Sequence, residues 1–200
     1  MHAPDKTTDR EIREVVETKR AWLFDKIRHK QKYQDLPHPP GKELVNGESA
    51  PYLGREYRIE IASTPSGVVE FELQFIIPET HQAKRREVLK AWHLERAKKL
   101  ILPRVHAHGH RPGVRFAHAN IVDNRCRWGS CTVRDRVNFN WRLIKAPMFV
   151  IDYVIIHELA HLLEPKHTPG FWNIVHAYAP HAERAKSWLK QHGQLLEEEI

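Results

Sequence analysis

Cysteine is scarce in this sequence: Cys126 and Cys131 are the only two in 200 residues. That excludes a disulfide scaffold and any four-cysteine zinc ribbon. The opening residues, Met1-His2-Ala3-Pro4-Asp5-Lys6, lack the apolar stretch of a secretion signal. Long hydrophobic runs are lacking too. The most apolar stretch, Ala146 to Leu163, is interrupted by Asp152, His157, Glu158 and His161, which excludes a membrane span. The expected compartment is therefore a reducing cytoplasm, with both thiols free. The sequence has no Gly-rich phosphate loop, no dense acidic metal cluster, no internal repeat and no low-complexity segment.

What is present is an ordinary globular composition, 41% apolar and 28% charged, in a length that suits one domain with a real core. A formal net charge of +7 admits a nucleic-acid or acidic partner without demanding one. Lys84-Arg85-Arg86 and Lys98-Lys99 are the strongest candidates for weak nucleic-acid association, against the plainer reading of a solvated helix face. The anomaly is histidine: fifteen residues, about three times ordinary usage.

Residues 9–31 read as a helix, with Ile12, Val15, Val16, Lys19 and Leu23 on one face. Tyr57, Ile59 and Ile61 alternate with charged residues, as do Val69, Phe71, Leu73, Phe75 and Ile77. These two strands, separated by Thr64-Pro65-Ser66-Gly67, are expected to pair as a hairpin. A helix is expected from Thr80 to about Leu102, stopped by Pro103. Short strands are expected at Val114–His118, around Val133, and at Val137–Trp141. The most apolar helix should open at Ala146-Pro147 and stop at Glu164, before Pro165. Thr168-Pro169 should cap another, and a last helix from about His181 should end at Gly193.

His157-Glu158-Leu159-Ala160-His161 is an HExxH motif. On a helix, positions i and i+4 share a face, so both imidazoles can reach one zinc. Glu158 then lies beside the metal, where it can take a proton from a zinc-bound water. Chance would supply this pattern about 0.1 times in such a chain, so its context matters. The residues around it are apolar on nearly every face, and polar groups on a buried helix are costly unless satisfied. The competing reading is a pair of hydrogen-bonded core histidines. A third ligand is expected, and Glu164, His167 and Glu183 are the candidates. Glu164 lies about 10 Å along the axis from His157, too far to share one metal comfortably. Pro165 breaks the helix and lets the chain return, which favours His167. The spacing H-E-x-x-H-x-x-E-x-x-H is that of metzincins, but Glu164 stands where they have glycine, and no methionine follows His167 to make a Met-turn.

The segment Val150 to His161, the run His167-Thr168-Pro169-Gly170-Phe171-Trp172, and upstream Arg127-Trp128-Gly129-Ser130-Cys131 with Asn138-Phe139-Asn140-Trp141 together resemble the YgjP-like metallopeptidase family. That family is a group of minimal zincins related to the SprT-like proteases. The match is specific from about Val114 to Leu189 and looser around Trp22 and Tyr52-Leu53-Gly54. The resemblance implies a zincin-like fold, one zinc per chain, His167 as the third ligand, and substrate along the strand near Asn138–Trp141. Some members are described as UTP pyrophosphatases.

The expected fold is α+β, with helices on a small, mostly antiparallel sheet and the HExxH helix central. Residues 1–79 form a helix and β-hairpin region packed with a catalytic core at 80–200. The expected function is zinc-dependent peptide hydrolysis. Glu158 is the catalytic base and His157, His161 and His167 are the ligands. Arg127, Trp128, Asn138, Asn140 and Trp172 are candidate substrate contacts, Arg127 steadying an oxyanion or a phosphate. Two alternatives are nucleotide (UTP) pyrophosphate hydrolysis and a non-catalytic DNA-associated zinc protein. His106, His108 and His110 would share one face if they lay in a strand, but Gly109 and Pro112 favour a loop. Cys131 reads as a small buried thiol beside a tight turn.

Overall fold

The computed structural model describes Arg13, Glu17, Thr18 and Arg20, and residues 43–198 except 65, 111–112 and 125–126. The chain divides into two units, Met1–Pro40 and Gly41–Ile200. The helix expected over 9–31 lies in the first, almost wholly outside the described residues; Cys126, in the second, also lies outside them.

The second unit is α+β. Strands β1 (Ser49–Tyr52) and β2 (Arg55–Ala62) form an antiparallel hairpin through Leu53-Gly54, both at positive φ (49° and 79°). Strands β3 (Glu70–Phe71) and β4 (Phe75–Pro78) complete a four-stranded sheet of order β1-β2-β4-β3. β2 and β4 run parallel, so the hairpin expected between them does not form. The alternating run Val69–Ile77 is not one strand either. It folds back at Leu73 (φ 66°, 84% exposed) and pairs Phe71 with Phe75. The turn gives up one exposed leucine and gathers Tyr52, Tyr57, Phe71, Phe75 and Trp92 into an aromatic cluster.

Helix α1 (Arg85–His110) follows a 3-10 turn at Glu79–Lys84 and runs straight through Pro103. Proline there costs about 3 kcal/mol. The helix nevertheless continues because Leu89, His93, Ala97, Ile101, Val105 and Gly109 make an unbroken buried i+4 stripe. His106, His108 and His110 therefore lie on successive helical positions, not in a loop. His106 packs on Phe116 and His108 bonds Asp152, so the three do not share one face.

β5 (His118–Val122), β6 (Gly129–Cys131) and β7 (Arg136–Asn140) make a second sheet, β5-β7-β6, with β5 parallel and β6 antiparallel to β7. Both sheets are thus mixed. Val133, expected in a strand, is fully exposed in the turn between β6 and β7. A 3-10 turn, Trp141–Lys145, leads into α2 (Met148–Ala160), the HExxH helix. Pro147 stands at its N-cap, and His161 closes it earlier than the expected Glu164. Nine of its thirteen residues are buried. The hairpin turn fixes where α2 begins: Leu53 N–H donates to Ile144 O (2.9 Å) and Gly54 N–H to Lys145 O (2.8 Å). A Cβ on Gly54 would stand 2.5 Å from Pro147 Cγ. Asp152 on α2 accepts two hydrogen bonds from Arg104 (2.8 and 2.7 Å) and faces His108 (3.0 Å), clamping α2 to α1.

α3 (Pro169–Tyr178) begins as expected. Thr168 Oγ1 accepts from Phe171 N–H, and Pro169 sits in the first turn. α4 (Ala182–Glu197) continues past Gly193 instead of stopping there. The small residue faces the Trp128 indole, whose Cζ2 would lie 3.4 Å from an added Cβ. Buried Lys145 closes the end of α4 by donating to Leu196 O (3.2 Å) and Glu198 O (2.9 Å). Burial lowers its amine to about 8, so it remains protonated at neutral pH.

Candidate metal centre

His157 and Glu158 lie in the last turn of α2, and His161 is its C-cap. The chain then makes a short turn, with Leu163 N–H and Glu164 N–H both donating to Ala160 O (3.0 and 2.9 Å). Pro165 prevents further helix, and His167 comes back over α2. Ligand atoms of His157, His161 and His167 all lie within 4.8 Å of one another. His157 Nε2 and His167 Nε2 face each other at 3.2 Å. Two ligands bound at 2.0–2.1 Å to one tetrahedral zinc stand about 3.3 Å apart, so the residues present fit a metal ion. No other such cluster occurs among the described residues. Glu164 is not part of it. Glu183 instead pairs with Lys186 (3.0 Å).

The floor of the site is aromatic. Phe171, fully buried, packs against all three imidazoles, with ring centroids at 5.0, 4.6 and 4.7 Å from His157, His161 and His167. Trp172 stacks on His167 (5.7 Å, 21°), and Lys186 lies 4.6 Å above the Trp172 ring. Sequence reasoning missed the roles of Phe171 and Lys186. The available signal for Phe171 was its place three residues after the Thr168 cap, in the turn that carries His167.

Electrostatics favour neutral imidazoles at His157 and His161, the form that ligates metal. Burial, reinforced by the charges of His161, His167 and Lys186, lowers His157 to about 4. Burial and His167 lower His161, against hydrogen bonds to the backbone of Glu164 and Pro165. Burial raises Glu158 to about 7, with the charge of Arg127 opposing. Tyr153, one turn before His157 on the same face, is raised to about 12 by burial and by the carboxylates of Glu183 and Glu158.

The candidate substrate contacts divide. Trp172 borders the site, and Arg127 is exposed and acts electrostatically on Glu158. Trp128 packs on α4 at Gly193. Asn140 is buried; its amide donates to Asn124 O and to Arg127 O (3.2 Å), and its oxygen caps Arg142 N–H (3.0 Å). Asn138 bridges Ser130 (3.3 Å) and Asn120 (3.2 Å) across the sheet. β7 itself is the central strand, so its backbone is already paired, and the edge beside Glu158 is β6. Of the basic residues on α1, Lys98 pairs with Glu95 (2.7 Å). Cys131 is a half-buried free thiol.

An α+β fold with HExxH on a buried helix, and a third imidazole returned by the loop after it, is the arrangement of a zincin. The chain belongs to the YgjP-like, metallopeptidase domain family, whose sequence model matches residues 1–192. Among solved structures it is similar to the crystal structure of the metallopeptidase zymogen of Pyrococcus abyssi abylysin. That match has 18% identity and a TM-score of 0.43, over 50% of this chain and 99% of that one. No curated protein matches the chain.

Proposed function

We propose that the protein is a zinc-dependent peptidase that cleaves an extended polypeptide segment. The observation that carries this reading is the convergence of three imidazole ligand atoms within 4.8 Å, with Glu158 next in sequence to His157. Three neutral imidazoles suit zinc, and a three-ligand site leaves a position open for reaction. Zinc, when bound, supplies Lewis acidity to the scissile carbonyl and the attacking water. A Glu158 carboxylate oxygen takes the proton of that water and returns it to the departing amine. Phe171 and Trp172 hold the imidazoles in place and exclude water from beneath them. Arg127 stands where a cation can steady negative charge developing near Glu158. Peptide is favoured because β6 is a sheet edge beside Glu158, and an extended chain can add to an edge strand.

Nucleotide pyrophosphate hydrolysis is the second reading. It is favoured by two cations, Arg127 acting on Glu158 and Lys186 acting on His157. One experiment separates the two. The zinc-loaded protein is assayed in parallel on an unfolded protein and on UTP, with Glu158→Gln as control. Cleavage of the polypeptide alone, lost in the control, is expected. Turnover of UTP alone would replace the first reading with the second.

A further inference from the structure

α2 and β6 meet at a point that leaves no space for a side chain. A Cβ built on Gly129 would stand 2.5 Å from Glu158 Cγ, 2.7 Å from Oε1 and 2.8 Å from Cδ. Carbon atoms in favourable contact sit about 3.5–4.0 Å apart. Backbone freedom does not explain this glycine, because its φ is not in the left-handed region that Gly47, Gly54, Gly67 and Gly113 occupy. It lies in a regular ladder, opposite Phe139. Glycine weakens a strand unless a close approach requires it, and here the approach is that of Glu158.

The strand cannot simply move away. Asn140 N–H donates to Trp128 O (2.8 Å), the Asn140 side chain holds Arg127 O (3.2 Å), and the Trp128 indole rests on Gly193 of α4. The residues immediately before Gly129 are thus tied to β7 and α4. The Glu158 carboxyl group, by contrast, makes no hydrogen bond to the described residues, although it is only 7% exposed. Contact, not hydrogen bonding, sets where it stands.

We propose that Gly129 is a positioning residue for Glu158. The bare backbone of β6 is the wall against which the carboxyl group is seated, and any side chain at 129 moves that group. The effect on catalysis rests on the role given to Glu158 above; the contact itself does not.

A double-mutant cycle tests the contact on the full chain. Gly129→Ala is expected to lower Tm by about 2–10 °C, the range for overfilling a packed site. In a Glu158→Ala background, where the atoms it would strike are gone, the same change is expected to cost nothing. If Gly129→Ala alone does not fold, the double variant should fold; failure of both overturns the proposal. Equal Tm losses in the two backgrounds overturn it as well. Metal content, measured by elemental analysis, should be unchanged in Gly129→Ala; loss of metal would mean that position 129 acts on the histidines and not on Glu158. On the polypeptide substrate, Gly129→Ala should lower kcat at least tenfold with KM nearly unchanged. A kcat equal to wild type overturns the positioning role. Activity retained by Glu158→Gln would instead sink the peptidase mechanism, while the Tm cycle still decides the contact.

Discussion

At the residue scale, the proposed mechanism separates holding a metal from moving a proton. His157, His161 and His167 present ligand atoms to one point, whereas the Glu158 side chain packs against β6 at Gly129. Glu158→Gln keeps the side chain's size but removes its basicity. It should retain full metal content by elemental analysis and lose about 10²–10⁴-fold in hydrolysis. His167→Ala removes a ligand that no neighbour can replace, since Glu164 is outside the cluster and Glu183 is paired with Lys186. Zinc stoichiometry measured after dialysis should fall well below one per chain; an unchanged value would require another ligand. His157, Glu158 and His161 were legible from sequence because the i, i+4 relation is local to one helix. His167 was legible from the break at Pro165. Phe171 beneath the imidazoles was signalled only by its place after the Thr168 cap, and Gly129 against Glu158 was not legible at all, because that contact follows from no spacing along the chain.

At the scale of elements, α2 is held from three directions. The hairpin turn pins its start, β6 closes on its end, and α1 grips its middle through Arg104, His108 and Asp152. In that clamp burial would raise the Asp152 carboxyl, but the hydrogen bonds from His108 and Arg104 outweigh it and hold it below the usual carboxylate range. Asp152→Asn should cost about 1–2 kcal/mol in urea unfolding, discounted because the Arg104 and Asp152 side chains are partly exposed. A midpoint equal to wild type would show that the clamp adds nothing to stability. Phe171→Ala should cost more, about 3–5 kcal/mol, because a fully buried ring is removed. It should also weaken metal retention in a chelator competition. Element types were mostly readable: the Thr168-Pro169 start of α3 and the apolar α2 stand where composition puts them. Element limits were less so. Pro103 failed to stop α1, Gly193 failed to stop α4, and one alternating run became two strands. In each, burial of a stripe, or packing against a distant partner, outweighed a local preference of a few kcal/mol or less.

At the scale of the whole molecule, acid should act through histidine in two ways. The three ligand imidazoles must be neutral to bind, so acidification should release metal. Separately, His93 is fully buried between α1 and β1, its nitrogens 2.9 Å from Leu89 O and Pro51 O. Burial lowers it to about 4, against those hydrogen bonds and with the charge of Lys145 adding to the fall. A base whose folded pKa is depressed is neutral in the fold and protonated when unfolded. Stability is therefore complete above about 6.5 and declines as pH drops toward 4. Urea midpoints of the metal-free protein at pH 7, 5 and 4 should fall more steeply for wild type than for His93→Gln; parallel slopes would remove His93 from the acid response. By itself the sequence determined the α+β class, the apolar helix with its HExxH, and the returning His167, because each rests on periodicity or on a break within one short segment. Only the tertiary structure decided that the strands form two mixed sheets, that β7 is central and β6 an edge, and that a bare glycine faces Glu158. Strand pairing and side-chain contact join residues far apart in the chain, and no local pattern encodes which partner each one meets.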